Sequence, residues 1–356
     1  MKILAAIPTL QCGGAERVIS VLSKEWEINN EVKILVFDNK KIAYEYSGEL
    51  INLNLGSLDN IFGKILQFIK RVFVLNNYLK YNRFDKIISF TESFNLPITV
   101  AALLSNNLNK LTVSIRNDPD KFPFFYKILI PLIYRLPNKV VCVSEGIENL
   151  LKTKYLDSNS ILTIENPPPL IQINKIKEKD ISYLPKEKYI LAVGRLNYQK
   201  GFDRLIKCFS KINHNNLKLV IIGEGNEREN LNRIIYNLGM QKNVIMLGNK
   251  RDIWSWYKNA FCFVLSSRYE GYPNVIKEAM SQGCPVIAVD CNYGPSEIIS
   301  NNINGLLVEN YSEIQLKNCI LDLLKNKSKR DYLIKNANLY IKNNSLKIIA
   351  NKWLMD

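Results

Sequence analysis

The strongest constraint on the fold is an alternation of short apolar segments with helical patterns that runs along the chain twice. Apolar strands separated by helices are typical of βαβ units, which build a parallel sheet covered by helices on both faces. Helical patterns separate the strands of the first series, beginning with residues 15–26. The strands predicted in this first series lie at residues 2–8, 32–37, 86–90, 111–115 and 139–143.

A second series follows a break at Asn166, where three consecutive prolines interrupt regular structure because proline lacks the N–H donor. Its predicted strands lie at residues 189–194, 217–223, 244–248, 261–266, 285–289 and 305–308. At 356 residues the chain exceeds the size of a single core. We therefore predict an α/β protein of two Rossmann-like, doubly wound parallel-sheet domains.

The predicted boundaries follow from this break. Residues 1–165 form the N-terminal domain, residues 166–186 the linker and residues 187–335 the C-terminal domain. Residues 336–356 are predicted as a C-terminal helix that packs back on the N-terminal domain.

Composition excludes several classes of protein. An apolar fraction of 47% is ordinary for a globular chain, so disorder is not expected. The seven cysteines form no C-x-x-C pair and are interpreted as buried thiols in a reducing compartment. No uncharged apolar run reaches the roughly 18 residues that span a bilayer. The apolar segment at the start of the chain leads directly into a glycine turn, so it is interpreted as the first strand and not as a signal peptide. We expect a cytoplasmic protein.

The net charge of +15 favours phosphate-bearing partners, either nucleotides or anionic lipids. Two acid-free segments combine basic residues with apolar residues at helical spacing: one begins at Ile61 and ends at Arg83, the other begins at Lys121 and ends at Lys139. Each predicts either a helix on the inner surface of an anionic membrane or a helix whose apolar side faces the core. Nucleic acid is not expected, because no nucleic-acid-binding motif accompanies the charge.

Two glutamates lie eight residues apart in the βαβ unit of residues 261–290: Glu270 at the exit of a strand and Glu278 on the following helix. Ligands of parallel sheets bind at the carboxyl ends of the strands, and carboxylates are strong acceptors for sugar hydroxyls. The alternative is that both glutamates are solvated. The polar turn between them adds further candidate ligand contacts, which are Gly271, Tyr272, Pro273 and Asn274.

Two cations follow the first strand of the second series. Arg195 and Lys200 lie five residues apart in the segment Gly194-Arg-Leu-Asn-Tyr-Gln-Lys-Gly-Phe-Asp203, which joins a strand to a helix. A guanidinium fork and a mobile ammonium suit a diphosphate leaving group, which gains negative charge as it departs. The alternative is an ordinary surface turn.

The segments 194–203 and 270–278 together resemble the G-R-L-x-x-x-K-G-x-D and E-x7-E signatures of retaining GT-B glycosyltransferases of family 4, the group 1 glycosyl transferases of bacterial polysaccharide and capsule synthesis. The resemblance implies the GT-B fold, with two Rossmann-like domains facing across a cleft. It implies that the C-terminal half holds an NDP-sugar, with UDP favoured over GDP, and that the N-terminal half binds the acceptor.

The resemblance also implies roles for individual residues. Arg195 and Lys200 would stabilise the departing diphosphate, Glu270 would hold the donor sugar and Glu278 the ribose. The resemblance implies retention of anomeric configuration; since no free carboxylate stands out as a nucleophile, front-face displacement is favoured. No cofactor and no metal are expected, because the cationic side chains replace a divalent ion.

Further donor contacts rest on the same resemblance. Gly13 and Gly14 follow the first strand, where glycine lets backbone amides approach a phosphate closely. Gly248, Asn249 and Lys250 match a region that meets the nucleotide base in the family. A simple tight turn is the alternative at both places. The glycines near the N-terminus lack the G-x-G-x-x-G spacing of NAD enzymes.

The chain departs from the family in its N-terminal half. Many members place a histidine against the transferred sugar, whereas the only histidine here is His214, in a polar loop predicted to lie at the surface. Ser–His catalysis is thereby excluded. The candidates for sugar or acceptor contacts are Glu92, Arg116, Asn117 and Asp118.

The basic and aromatic N-terminal half favours a lipid-linked glycan acceptor at the inner face of the cytoplasmic membrane, hence capsule, O-antigen or lipopolysaccharide assembly. A transferase with a soluble acceptor is the nearest alternative and predicts no association with anionic liposomes. A nucleotide-sugar 2-epimerase shares the fold but requires additional acid and base side chains. A catalytically silent sugar-nucleotide-binding protein would show neither sugar transfer nor hydrolysis.

Overall fold

A computed structural model describes residues 1–11, 13–39, 42–56, 61–156, 160–169, 184–212, 216–250, 252–309 and 312–355. The chain divides into two compact units. The first comprises Met1–Pro167 with Leu346–Asp356, and the second comprises Pro168–Ser345. Of the predicted linker only residues 166–169 and 184–186 are described, and His214 lies outside the described residues.

The first unit is built on a seven-stranded sheet in the order β3-β2-β1-β4-β5-β6-β7, and every pairing in it is parallel. Its central strands are buried and almost entirely apolar, as expected where helices cover both faces of a sheet. The strands are β1 (Lys2–Ile7), β2 (Glu31–Val36), β3 (Glu49–Asn52), β4 (Lys86–Phe90), β5 (Leu111–Ile115), β6 (Lys139–Cys142) and β7 (Ile161–Thr163).

Six α-helices of the described residues belong to this unit. They are α1 (Gly14–Trp26), α2 (Ile61–Tyr81), α3 (Glu92–Leu104), α4 (Phe124–Ile133), α5 (Glu145–Lys154) and α13 (Leu346–Leu354). The last helix joins the core of the first unit: the indole N–H of Trp26 donates to the Ala350 carbonyl at 3.1 Å, and the Trp353 ring packs on Phe90. Across the described residues, no helix is both long and apolar enough to cross a membrane.

The second unit contains a six-stranded parallel sheet in the order β10-β9-β8-β11-β12-β13. Its strands are β8 (Lys188–Val193), β9 (Leu217–Ile222), β10 (Val244–Met246), β11 (Cys262–Leu265), β12 (Val286–Asp290) and β13 (Leu306–Glu309). Its helices are α6 (Phe202–Ser210), α7 (Arg228–Asn237), α8 (Trp254–Asn259), α9 (Asn274–Ser281), α10 (Pro295–Ile298), α11 (Glu313–Lys325) and α12 (Lys327–Asn343).

Two strands were not predicted from the sequence, β3 and β7. Both lie at the edges of the first sheet and have only four and three residues, too few for an apolar run to stand out. Every strand that was predicted from the sequence is present, and its ends lie within two residues of the predicted ends. The prediction of two doubly wound parallel sheets is confirmed.

The strand order places the candidate residues. In each sheet the order reverses between two adjacent central strands, β1 and β4 in the first and β8 and β11 in the second. The loops that leave such a pair at their carboxyl ends diverge to opposite sides and open a crevice in which α/β proteins bind ligands. Arg195 and Lys200 follow β8, and Glu270 follows β11. The most distinctive sequence motifs therefore meet at the switch point of the second sheet.

Candidate functional site

An ion pair joins the two motifs of the second unit. The Lys200 ammonium donates to Oε1 of Glu270 at 2.6 Å, and the Ser267 hydroxyl donates to the same oxygen at 2.6 Å. The aliphatic stem of Lys200 lies across Gly194, whose added Cβ would meet three of its carbons at 3.2 Å. Both donors use Oε1. The second carboxylate oxygen of Glu270 has no hydrogen-bond partner among the described residues and can accept hydrogen bonds from a ligand.

Both glutamates are buried, so the solvated alternative is wrong. Glu270 is 5% exposed and Glu278 is 4% exposed. The phenol of Tyr257, itself buried beneath α9, donates to Oε2 of Glu278 at 3.1 Å. A buried carboxylate is costly unless it is paired or hydrogen-bonded, and these two carry such partners.

The turn that carries Lys200 is fastened to the loop after β11. The Ser266 hydroxyl donates to the Lys200 carbonyl at 2.9 Å, and the Gln199 amide donates to the Tyr269 carbonyl at 3.0 Å. Gly201 follows in the left-handed conformation, with φ of +63°, and an added Cβ would lie 2.2 Å from the Ser266 carbonyl oxygen. Only glycine allows the backbones of the two motifs to approach this closely.

Arg195 differs from Lys200 in its surroundings. Its side chain is exposed and forms no hydrogen bond or ion pair with any residue that the structure describes. The guanidinium can therefore turn to an incoming anion without breaking an internal contact. Two cations thus flank the carboxyl end of β8. Lys200 is already paired with Glu270, whereas Arg195 has no partner in the described part of the chain.

Gly223 connects the predicted base-contact region, residues 248–250, to the turn after β8. The N–H of Gly223 donates to the Gly248 carbonyl at 2.9 Å, and an added Cβ on Gly223 would lie 1.9 Å from the Gly194 carbonyl oxygen. Gly223 is therefore a packing residue. Asn249 and Lys250 are exposed beside Gly248, which itself has φ of +71°.

The loop from Gly271 to Asn274 leads into α9 and is itself largely buried. Gly294, with φ of +94°, presses against it: an added Cβ would lie 2.6 Å from Cδ of Pro273 and 3.2 Å from the Gly271 carbonyl oxygen. Tyr272 is buried, with the Lys277 ammonium 5.1 Å from its ring centre. These packed side chains fix the N-terminus of α9 and hence the position of Glu278.

In the first unit, three of the four predicted acceptor residues come together at the ends of β4 and β5. The backbone N–H of Arg116 donates to Glu92 at 3.3 Å, and the Asn117 side chain also hydrogen-bonds this carboxylate. Burial raises the pKa of Glu92 and lowers the pKa of Arg116 to about 10. The Arg116 guanidinium donates to Ser114 and Asn166 and lies 5.3 Å from the Phe90 ring centre.

Asp118 and the N-terminal glycines have visible local roles. Asp118 is buried and accepts the Asp120 N–H at 2.9 Å, which caps a short 3-10 turn over Pro119–Lys121. Gly13 precedes α1, and the Glu16 carboxylate folds over it, within 2.1 Å of where a Cβ would stand. Asp118 therefore lies just after β5, and Gly13 lies between β1 and α1. Their contacts with a ligand stay a prediction.

Sequence reasoning missed the residues that position the others. Thr91, directly before Glu92, has φ of +79°, a strained conformation for a β-branched residue that commonly marks functional sites. Asn166, Tyr257 and Ser267 also contact candidate residues, and Arg268 binds the segment that carries Lys200. No sequence motif marks these contacts, since most join segments distant along the chain. Within the described ranges, no group of three or more His, Cys, Asp or Glu residues could hold a metal.

The two doubly wound parallel sheets are those of the GT-B fold, and comparison with known proteins identifies the chain as a glycosyltransferase. Residues 174–340 match the model of the family described as glycosyl transferases group 1.

Curated relatives agree with this assignment. The chain is 28% identical to the amylovoran biosynthesis glycosyltransferase AmsD of Erwinia amylovora, over 82% of this chain and 81% of the relative. It is 26% identical to a Campylobacter jejuni α-1,4-N-acetyl-D-galactosaminyltransferase that acts on GalNAc-α-(1→4)-GalNAc-α-(1→3)-diNAcBac-PP-undecaprenol, over 99% and 97% of the two chains.

Solved structures show the same fold at lower sequence identity. Anabaena Alr3699/HepE in complex with UDP and glucose superposes with a TM-score of 0.82 at 20% identity, covering 99% of this chain and 98% of that one. Staphylococcus aureus TarM, solved as a mutant with UDP and glycan ligands, gives a TM-score of 0.78 at 17% identity, over 99% of both chains.

The close approach at Gly201 predicts a measurable cost of substitution. Gly201→Ala should lower the free energy of unfolding by more than the roughly 1–2 kcal/mol of a left-handed backbone, because its Cβ meets the Ser266 carbonyl. Gly239→Ala is the matched control, since Gly239 has φ of +67° and nothing within 4 Å of its added Cβ. Urea denaturation of both variants compares them; equal losses would show that the two motifs are not in such close contact.

Proposed function

We propose that this protein is a retaining glycosyltransferase that moves a sugar from an NDP-sugar to a hydroxyl of a lipid-linked glycan in bacterial surface polysaccharide synthesis. UDP is favoured over GDP as the carrier. The observation that carries the proposal is the pairing of Lys200 with Glu270 at the switch point of the second sheet. Two relatives support the acceptor class by their names, which specify diphospho-undecaprenol substrates. Complexes of structural neighbours with UDP support the donor class.

The proposed donor site uses each polar group for one part of the substrate. Arg195 and Lys200 bind the diphosphate, replacing the charge that a metal ion supplies in other transferases. The unoccupied oxygen of Glu270 accepts hydrogen bonds from hydroxyls of the transferred sugar, and Glu278 accepts those of the ribose. Gly248, Asn249 and Lys250 meet the base, largely through backbone groups.

The proposed chemistry is front-face displacement. The bond between the anomeric carbon and the diphosphate oxygen breaks while the acceptor oxygen bonds to the same face of that carbon. The acceptor proton passes to the departing diphosphate oxygen, so no protein nucleophile is needed. Lys200 and Arg195 stabilise the charge that develops on this leaving group, which is where preorganised cations contribute most to catalysis.

We assign the acceptor to the first unit. Glu92 offers a half-buried carboxylate held by Arg116 and Asn117, directly after the strained backbone of Thr91. A carboxylate of this kind accepts hydrogen bonds from glycan hydroxyls, and the surrounding desolvation strengthens those bonds. This cluster takes the place that a histidine occupies in many family members.

The donor assignment predicts that Lys200→Met and Glu270→Gln each lower kcat/KM for sugar transfer at least tenfold, equivalent to about 1.4 kcal/mol of transition-state stabilisation. Both substitutions preserve side-chain size and remove the charge. Sugar transfer is measured with a panel of UDP- and GDP-sugars and a lipid-linked acceptor. Lys207→Met, on the exposed side of α6, is the control and should remain within twofold of wild type. Full activity in both site variants would end the assignment.

Exposed apolar side chains on two helices of the first unit support the proposed contact with a membrane. On α2, Ile65, Ile69 and Phe73 are exposed, Phe73 by 64%, whereas Leu75 and Leu79 on the same helix are buried. The predicted apolar stripe of this helix is therefore divided, with its N-terminal part facing solvent and its C-terminal part facing the core. The side chain of Ile61 lies outside the description.

A second helix adds to this surface. Helix α4 exposes Phe124 by 79%, together with Ile128 and Leu132, and α3 packs against both α2 and α4. Exposed lysines accompany them, Lys64, Lys70 and Lys80 on α2. We propose that these residues contact an anionic membrane, where apolar side chains enter the headgroup region and each cation contributes about 1 kcal/mol.

Arg71 does not belong to this surface, because its guanidinium donates to the Leu55 carbonyl at 2.9 Å and stacks on Phe37 at 4.1 Å. The vesicle test therefore replaces Lys64, Lys70 and Lys80 with Glu. This triple variant should lose most of its co-sedimentation with phosphatidylglycerol vesicles while retaining activity on a short soluble acceptor. The control replaces exposed Lys207, Lys242 and Lys325 of the second unit with Glu, an equal change in charge. Equal sedimentation of the two triple variants would refute the membrane surface.

A further inference from the structure

Arg268 makes a dense set of contacts around the donor loop of the second unit. Its guanidinium binds both oxygens of Asp203, with Nη1 donating to Oδ1 at 2.8 Å and Nη2 donating to Oδ2 at 2.7 Å. Nη1 also donates to the Tyr198 carbonyl at 2.7 Å, and the guanidinium stacks 3.9 Å from the Tyr198 ring centre. The backbone N–H of Arg268 donates to the Gln199 carbonyl at 2.7 Å.

The residues that Arg268 contacts lie on both sides of Lys200 in the sequence. Tyr198 begins the one-turn 3-10 helix that ends at Lys200, and Asp203 lies in the first turn of α6. Arg268 therefore holds the backbone on both sides of Lys200 to the loop after β11. The same loop supplies Glu270, so one side chain fixes the spacing of the cation and the carboxylate.

The direct alternative is that Arg268 itself binds the diphosphate. Its side chain is only 12% exposed, both terminal nitrogens are committed, and its Nε is buried without a hydrogen-bond partner. An anion at this guanidinium would compete with Asp203, which holds it in a bidentate pair, among the strongest side-chain interactions. Arg195 is exposed and offers an open guanidinium instead.

We propose that Arg268, clamped by Asp203 and Tyr198, is a positioning residue that aims Lys200 at the donor diphosphate. The inference rests on the proposed function of Lys200 as a diphosphate ligand. Its physical basis is preorganisation: a displacement of about 1 Å in a catalytic group can cost about 100-fold in rate. A planar bidentate fork resists such displacement better than a point charge does.

If Arg268 works by positioning Lys200, its substitution should lower UDP affinity only when Lys200 is present. Arg268→Met is expected to lower kcat/KM for transfer at least tenfold and UDP affinity, measured by calorimetry, at least fivefold. In a Lys200→Met background the same substitution should change UDP affinity less than twofold, because the group that it positions is already gone. GDP replaces UDP as the probe if the wild-type protein binds GDP more tightly.

The control is Lys329→Met, which breaks the Lys329–Asp322 ion pair between α11 and α12, formed at 2.8 Å in the same unit. It should leave UDP affinity and transfer within twofold of wild type. If Arg268→Met proves unfolded by circular dichroism, Asp203→Asn weakens the same clamp and takes its place in both backgrounds, with the same expected dependence on Lys200.

The outcomes separate the two claims. An equal loss of UDP affinity with and without Lys200, or activity of the clamp variant within twofold of wild type, would overturn the positioning role. If Lys200→Met alone binds UDP and transfers sugar normally, the proposed function itself fails. A loss seen with Arg268→Met only when Lys200 is present supports both.

Discussion

The contact between Lys200 and Glu270 is the interaction on which the site depends. It joins a cation carried by the loop after β8 to a carboxylate carried by the loop after β11, and these strands are neighbours because the order of the sheet reverses between them. A buried carboxylate needs a partner, and a diphosphate site needs a cation. The same pair meets both needs, so fold stability and ligand binding are linked at one point.

Much of the architecture could be predicted from the sequence, because strands buried on both faces are almost entirely apolar. β1, β4 and β8 satisfy this rule and were found within two residues of their ends. β3 and β7 escaped because short edge strands need no continuous apolar run. The solvated interpretation of Glu278 failed for a related reason: helical position alone does not reveal that Tyr257 lies beneath the carboxylate.

The sequence predicted only those site residues that stand in a short, recognisable motif. Arg195, Lys200 and Glu270 stand in recognisable turns, and their motifs resemble those of a known family. The contacts that hold these residues in place join positions about 70 residues apart, as in the pairing of Arg268 with Tyr198. Such contacts, and the strained backbone of Thr91, depend on the folded geometry and leave no mark in the sequence.

The most direct test of the donor site is a crystal structure of the protein with UDP bound. If Lys200 and Arg195 hold the donor, the diphosphate lies within hydrogen-bond distance, about 3 Å, of the Lys200 ammonium and the Arg195 guanidinium. The ribose hydroxyls then contact Glu278. A diphosphate bound away from both cations, with the Lys200–Glu270 pair undisturbed, would contradict the assignment of the donor site.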